Sequence, residues 1–176
     1  MTTLHILALE TGGESYTIRL AAECWGMQVT LTGVGNSGQI VDYFKGRPDH
    51  DLILISGHGD ERGLFLPELD DEIAARYPYN NVIRPVDFDQ FLQLTGNTVI
   101  NLSCLGGLPL LADTFLAHGA RHYIGPVVYP SGAAALMYGL QFLYNYVQHD
   151  GDVAEAHRLA SNHPDDRRQF KLYSRG

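Results

Sequence analysis

Basic residues are scarce in this sequence: twelve Lys and Arg stand against twenty Asp and Glu, for a formal net charge of -8. The few cations are scattered rather than striped, which argues against a nucleic acid or an anionic membrane surface as partner. Long apolar runs are also missing, and no stretch approaches the roughly 20 residues of a membrane-spanning helix. The opening Met1-Thr-Thr-Leu-His5 lacks the charged-then-hydrophobic order of a signal peptide, so a cytoplasmic location is expected. Cysteine is nearly absent. Cys24 and Cys104 are the only two, too few for a disulfide framework in a chain of this size, and no CxxC or HExxH pattern calls for zinc. Neither a metal nor a cofactor is expected.

What is present is enough for one domain with a proper core: 176 residues, 45% of them hydrophobic, with no repeats, linkers or low-complexity tracts. Short apolar runs alternate with helical patterns. Leu4–Leu9 reads as a strand, and Ser15 as the N-cap of a helix over Tyr16–Trp25 in which Cys24 takes a buried packing role. Met27–Thr32 is a second strand, Gly38–Lys45 a helix and Asp51–Ile55 a third strand. A helix from Val86 or Asp87 to Leu94, a strand from Thr98, a helix over Leu108–Ala117 and a last central strand Arg121–Gly125 follow. Ser131 caps a long helix and Asp152 a further one. This order predicts a three-layer αβα fold with a mainly parallel sheet of about six strands. Residues 60–85 read as a long functional excursion over the carboxyl edge of that sheet, and residues 162–176 as a loosely held polar tail.

Two polar-glycine patches carry the chemistry. Ser56-Gly57-His58-Gly59-Asp60 follows the apolar run Asp51–Ile55, and Asn101-Leu102-Ser103-Cys104-Leu105-Gly106-Gly107 follows Thr98–Leu102. Residues just past buried parallel strands lie at the carboxyl edge of the sheet, where ligands bind in open α/β folds. A histidine and a cysteine delivered there can meet as base and thiol nucleophile. The other histidines offer less: His118 and His122 flank a helix stop and a strand start, and His149 and His157 ride on helices. Gly33-Val-Gly-Asn-Ser-Gly38 is similar to a phosphate-cradling turn, but lacks the GxGxxG spacing and its acidic partner. Asp60 and Glu61 read as solvated charge.

The ordered set resembles the caspase-like (clan CD) cysteine peptidases, closest to the compact bacterial CHAT-type domains. The motifs are Leu52-Ile-Leu-Ile-Ser-Gly-His58-Gly59, then Val99-Ile-Asn-Leu-Ser103-Cys104. Phe115-Leu-Ala-His-Gly-Ala120 follows, leading to Tyr123-Ile-Gly125, a long helix and Val153-Ala-Glu-Ala156. The resemblance covers residues 51–160. It implies hydrolysis of peptide bonds by a Cys104–His58 dyad, with the backbone N–H groups of Gly59 and Cys104 donating to the oxyanion. Peptide or protein substrates follow, with an activating partner as a separate subunit. It also implies a substrate pocket near Leu102, Ser103 and Glu10, in which Glu10 favours a basic side chain. Leu102 stands where relatives often carry a polar or acidic residue. That departure keeps open a catalytically degenerate domain acting as a binding or scaffold module. A glutamine-amidotransferase-like hydrolase fits less well, because His58 lies upstream of the cysteine and Leu105 directly follows it. A flavodoxin-like binding protein leaves both patches unexplained.

Overall fold

A computed structural model describes residues 1–176. In chain order its elements are β1 (Thr3–Ala8), α1 (Gly12–Cys24), β2 (Gln28–Gly33), α2 (Ser37–Lys45), β3 (Leu52–Ser56), β4 (Gly59–Asp60), β5 (Gly63–Phe65), α3 (Asp71–Ala74), β6 (Val82–Ile83), α4 (Pro85–Phe88), β7 (Thr98–Asn101), α5 (Pro109–Ala117), β8 (His122–Pro126), α6 (Gly132–Gln148), α7 (Val153–Ser161) and β9 (Phe170–Ser174). Six strands form the main sheet in the order β2-β1-β3-β7-β8-β9. All neighbours are parallel except β9, which runs antiparallel to β8. No helix is long and apolar enough to cross a membrane.

The apolar run of β3 is continuous because both of its faces are covered. Ile53 and Ile55 join Phe44, Phe88, Phe115 and Tyr123 on the side of α2, α4 and α5. Leu52 and Leu54 join Ile18, Tyr138, Phe142 and Phe170 on the side of α1, α6 and α7. Helices on both faces of a six-stranded, mostly parallel sheet make the expected three layers.

Four local expectations are corrected. Helix α1 starts at Gly12 with Thr11 as N-cap, and Ser15 lies inside it, on the buried stripe with Ile18 and Ala22. Cys24 falls off that stripe at the last helical residue and is exposed. Helix α4 ends at Phe88 rather than running to Leu94: Gln90 N and Phe91 N turn back three residues to Asp87 O and Phe88 O, and Leu94 N is taken by His118 O at 2.9 Å. The fourth concerns residues 162–176, which are not a loose tail. A 3₁₀ turn over Asp166–Gln169 leads into β9, and Phe170 stacks on Tyr138 with ring centroids 3.8 Å apart. Burial of that one aromatic ring fixes the strand that follows a wholly polar stretch.

The 60–85 excursion is partly ordered as a second, antiparallel sheet, β4-β5-β6, with α3 between its last two strands. It stands over the carboxyl ends of β1, β3 and β7.

Candidate active site

His58 is placed by the end of β3. Ser56 O accepts from Leu9 N at 2.8 Å and from Thr11 Oγ1 at 2.9 Å, which ties this strand end to the β1–α1 turn. The chain then enters the β4–β5 hairpin through His58, whose carbonyl accepts from Phe65 N at 2.9 Å. That bond makes His58–Phe65 a hydrogen-bonded pair, so the adjacent Gly59–Leu64 pair is not one, and the Gly59 N–H points away from β5. The His58 ring is exposed and makes no hydrogen bond to another group.

Cys104 is placed by the turn after β7. Asn101, buried at the end of that strand, bends the chain over its own side chain: its Oδ1 accepts from Ser103 N at 3.0 Å and Ser103 Oγ at 2.6 Å. Its Nδ2 donates to Tyr123 Oη at 3.0 Å, and Tyr123 Oη donates to Gly106 O at 2.6 Å. Gly106 lies so close that a Cβ there would sit 2.7 Å from the Asn101 amide. Leu105 is held at φ 55°, a left-handed conformation costly for a branched side chain.

The amide groups of this turn are almost all used. Leu102 N donates to Ile55 O, Ser103 N to Asn101 Oδ1, Leu105 N to Val128 O, Gly106 N to Ser103 O, Gly107 N to Pro126 O and Leu108 N to Leu105 O. Between Leu102 and Leu108 only the Cys104 N–H lacks an acceptor on another residue. It faces its own sulfur instead, which lowers the thiol pKa; burial acts more strongly in the other direction and pushes that pKa up.

Both side chains line one cleft of about 480 Å³, walled by Leu9, Glu10, His58, Gly59, Arg62, Phe65, Leu66, Glu68, Asn81 and Cys104. The sequence-predicted His58, Gly59, Cys104 and Glu10 are therefore brought together. Leu102 and Ser103 are not. Leu102 turns to the opposite face and packs in the core beside α1 and α6, and Ser103 is buried against Asn101. Parity puts Leu102 on the face of Ile100, away from the cleft lining expected of it, while Ser103, beyond the strand, is turned inward by its bonds to Asn101.

Arg62, Phe65, Leu66, Glu68 and Asn81, all from the excursion, form half of the lining and escaped the sequence reading. Arg62 is neutralised by Asp60 at 2.8 Å and lies over the Phe65 ring, whereas Glu10 and Glu68 have no ion-pair partner, leaving the cleft net acidic. Asp60 and Glu61 are engaged rather than merely solvated, since Tyr129 Oη donates to Glu61 Oε2 at 2.9 Å. Glu10 itself sits at φ 58°. No three His, Cys, Asp or Glu side chains converge on a point that could hold a metal ion.

No family model matches the sequence, and no curated protein is similar to it. Among solved structures, gingipain R, an Arg-specific cysteine proteinase, superimposes over 98% of this chain with a TM-score of 0.64 at 11% identity. Separase, in its Saccharomyces cerevisiae complex with securin, covers 98% at a TM-score of 0.58 and 12% identity. A secreted C11 cysteine protease from Bacteroides thetaiotaomicron covers 98% at 0.51 and 7%. The fold is caspase-like. The chain spans 46% of the gingipain chain, 12% of the separase chain and 66% of the C11 protease chain. At these identities the likeness is one of caspase-like fold, carried by the sheet and its helical layers.

Proposed function

We propose that the protein is a cysteine endopeptidase of the caspase-like type, with Cys104 as nucleophile and His58 as general base. One observation carries the reading: Cys104 and His58 line one cleft, and the Cys104 N–H is the one amide of its turn with no acceptor on another residue. His58 takes the thiol proton as the sulfur attacks the acyl carbon. The resulting oxyanion is held by the N–H groups of Cys104 and Gly59. The carbon–nitrogen bond then breaks, and the imidazolium returns the proton to the leaving amine. Water, deprotonated by His58, releases the acyl group and restores the thiol. The resemblance of its ordered motifs to CHAT-type domains supports a member of that compact kind.

The acidic balance of the cleft supports a basic side chain before the scissile bond. Leu9, Phe65 and Leu66 would flank its aliphatic stem, and Glu10 and Glu68 would meet its charge. Gingipain R, by its description, is Arg-specific. Solved relatives in fold include one bound to its pro-domain and one bound to securin, which supports a partner protein as regulator here.

A second reading, a binding module that has lost catalysis, is favoured by burial raising the Cys104 thiol pKa and by the absence of any group orienting the His58 ring. A peptidyl acyloxymethyl ketone ending in Arg separates the two. The peptidase reading expects labelling of Cys104 alone, abolished by Cys104→Ala and by His58→Ala with the fold intact. Equal labelling of Cys24 and Cys104, or labelling indifferent to His58, would leave the binding module.

A further inference from the structure

We infer that Asn101, Tyr123 and Tyr173 are positioning residues that keep the Cys104 N–H free for the oxyanion. The inference rests on the peptidase reading. None of the three lines the cleft. Each comes from a different strand, and together they hold the turn on both sides of Cys104. Asn101 at the end of β7 occupies the Ser103 N–H and hydroxyl. Tyr123 on β8 donates to Gly106 O at 2.6 Å, and Tyr173 on β9 donates to Gly107 O at 2.7 Å.

The network is a chain of donors and acceptors with a definite direction. Ser103 gives to Asn101, Asn101 to Tyr123, and Tyr123 to Gly106. Because Asn101 Oδ1 is spent on Ser103, the amide has only its NH₂ for Tyr123. Tyr123 must then use its single proton on Gly106 O. Tyr123 is fully buried, so loss of its hydroxyl strands both Asn101 Nδ2 and Gly106 O without water to replace it. The turn could then relieve Gly106 O only by rotating the peptides beside it. Cys104 N–H, the one donor not pinned, would move with them.

The consequence separates two kinds of thiol chemistry. Attack on a peptide aldehyde creates a tetrahedral oxyanion and needs the N–H donor. Displacement of iodide from iodoacetamide creates no oxyanion at the carbon attacked and does not need it. The test compares Tyr123→Phe with Tyr138→Phe, whose lost hydroxyl is also fully buried but is bonded to His157 Nδ1, on another layer. Aldehyde inhibition, kcat, KM and the rate of Cys104 alkylation by iodoacetamide are read for each. For Tyr123→Phe, aldehyde affinity and kcat are expected to fall about tenfold or more. KM and the alkylation rate should stay within about twofold, and Tyr138→Phe should be unchanged in all four. Tyr173→Phe, on the half-buried β9, gives a milder second variant with a smaller loss in the same two quantities.

If Tyr123→Phe does not fold, the same split in Tyr173→Phe supports the inference and its absence overturns it. Equal losses in aldehyde binding and alkylation, or losses no larger than those of Tyr138→Phe, overturn it while leaving the peptidase reading intact. A wild-type protein that neither cleaves peptides nor takes the aldehyde removes both.

Discussion

Gly59 and Cys104 touch through their backbones: a Cβ at Gly59 would lie 3.0 Å from the Cys104 carbonyl oxygen and 2.8 Å from that of Gly63. The two halves of the candidate site, delivered by β3 and β7, are thus seated on each other without a side chain between them. Gly59→Ala should push the hairpin off the Cys104 turn. A loss of about 1–3 kcal/mol in stability is expected from the overpacking. Activity should fall further than that loss of folded protein explains. Chemical denaturation and kcat on the folded fraction measure the two effects separately.

Burial raises the pKa of the Cys104 thiol, so the neutral thiol is the favoured form in the folded protein. Its alkylation by iodoacetamide should accelerate with pH along a curve displaced to the alkaline side of a free cysteine, whose midpoint is about 8.5. Stability follows the same sign: it is greatest while the thiol is neutral in both states and declines as pH rises through the folded pKa. A midpoint on the acidic side would show a pre-formed thiolate–imidazolium pair instead.

A second pH effect lies at the far end of the sheet. His5 is buried between Tyr43 and His50, with ring centroids 4.5 and 4.8 Å away, and its pKa is lowered to about 4 by burial first and by His50 second. Its Nε2 meets Thr32 Oγ1 at 2.9 Å, while its Nδ1, Tyr43 Oη and His50 Nδ1 are buried without partners. Asp49 Oδ1 approaches His50 at 3.9 Å from the solvent side. On acidification the unfolded chain binds its proton first, near the ordinary 6.5, so stability should fall as pH drops from 6.5 towards 4. Of the order of 1–2 kcal/mol is expected, with screening at the exposed rim reducing the full linkage. His5→Gln should flatten that slope in urea denaturation; an unchanged slope would assign the acid sensitivity elsewhere.

Substrate choice gives a fourth test. Glu10→Gln and Glu68→Gln should each lower kcat/KM for substrates with Arg before the cut by about fivefold, the worth of a partly screened ion pair. Substrates with a neutral residue there should change little. Equal effects on both would mean that the carboxylates shape the cleft rather than read charge.

Phe170→Ala removes the ring stacked on Tyr138 at the start of β9. A stability loss of about 3–5 kcal/mol is expected. Hydrogen exchange should rise along β9, and Tyr173 should release Gly107 O at the same time. Exchange confined to residues 162–169 would detach the strand from the turn.

The legible parts of this protein are those where one physical demand dominates. Leu52–Ile55 must be apolar on both faces to sit at the centre of the sheet, and that run announces itself. That His58 and Cys104 would meet at one edge of the sheet was legible because each follows such a run with glycine close by. β9 was not, since its five residues alternate only weakly and one buried Phe170 decides their fate. The place of Asn101 was also hidden: a lone asparagine at a strand end has no pattern, and its three side-chain hydrogen bonds reach Ser103 and, 22 residues away, Tyr123. Leu102 could have been placed correctly by counting from Ile100. The cleft residues of 60–85 could not, because their positions depend on a small sheet held by β4, β5 and β6 rather than on any periodicity of their own.

The last strand of the main sheet also sets an order in time. His58 and Cys104 are synthesised well before Tyr173, so the nascent chain carries both cleft side chains while the clamp on Gly107 does not yet exist. Only when β9 has emerged and paired against β8 is the Cys104 turn held from every side. A chain paused at residue 160 on the ribosome would carry the Cys104 turn without the Tyr173 clamp on Gly107 O.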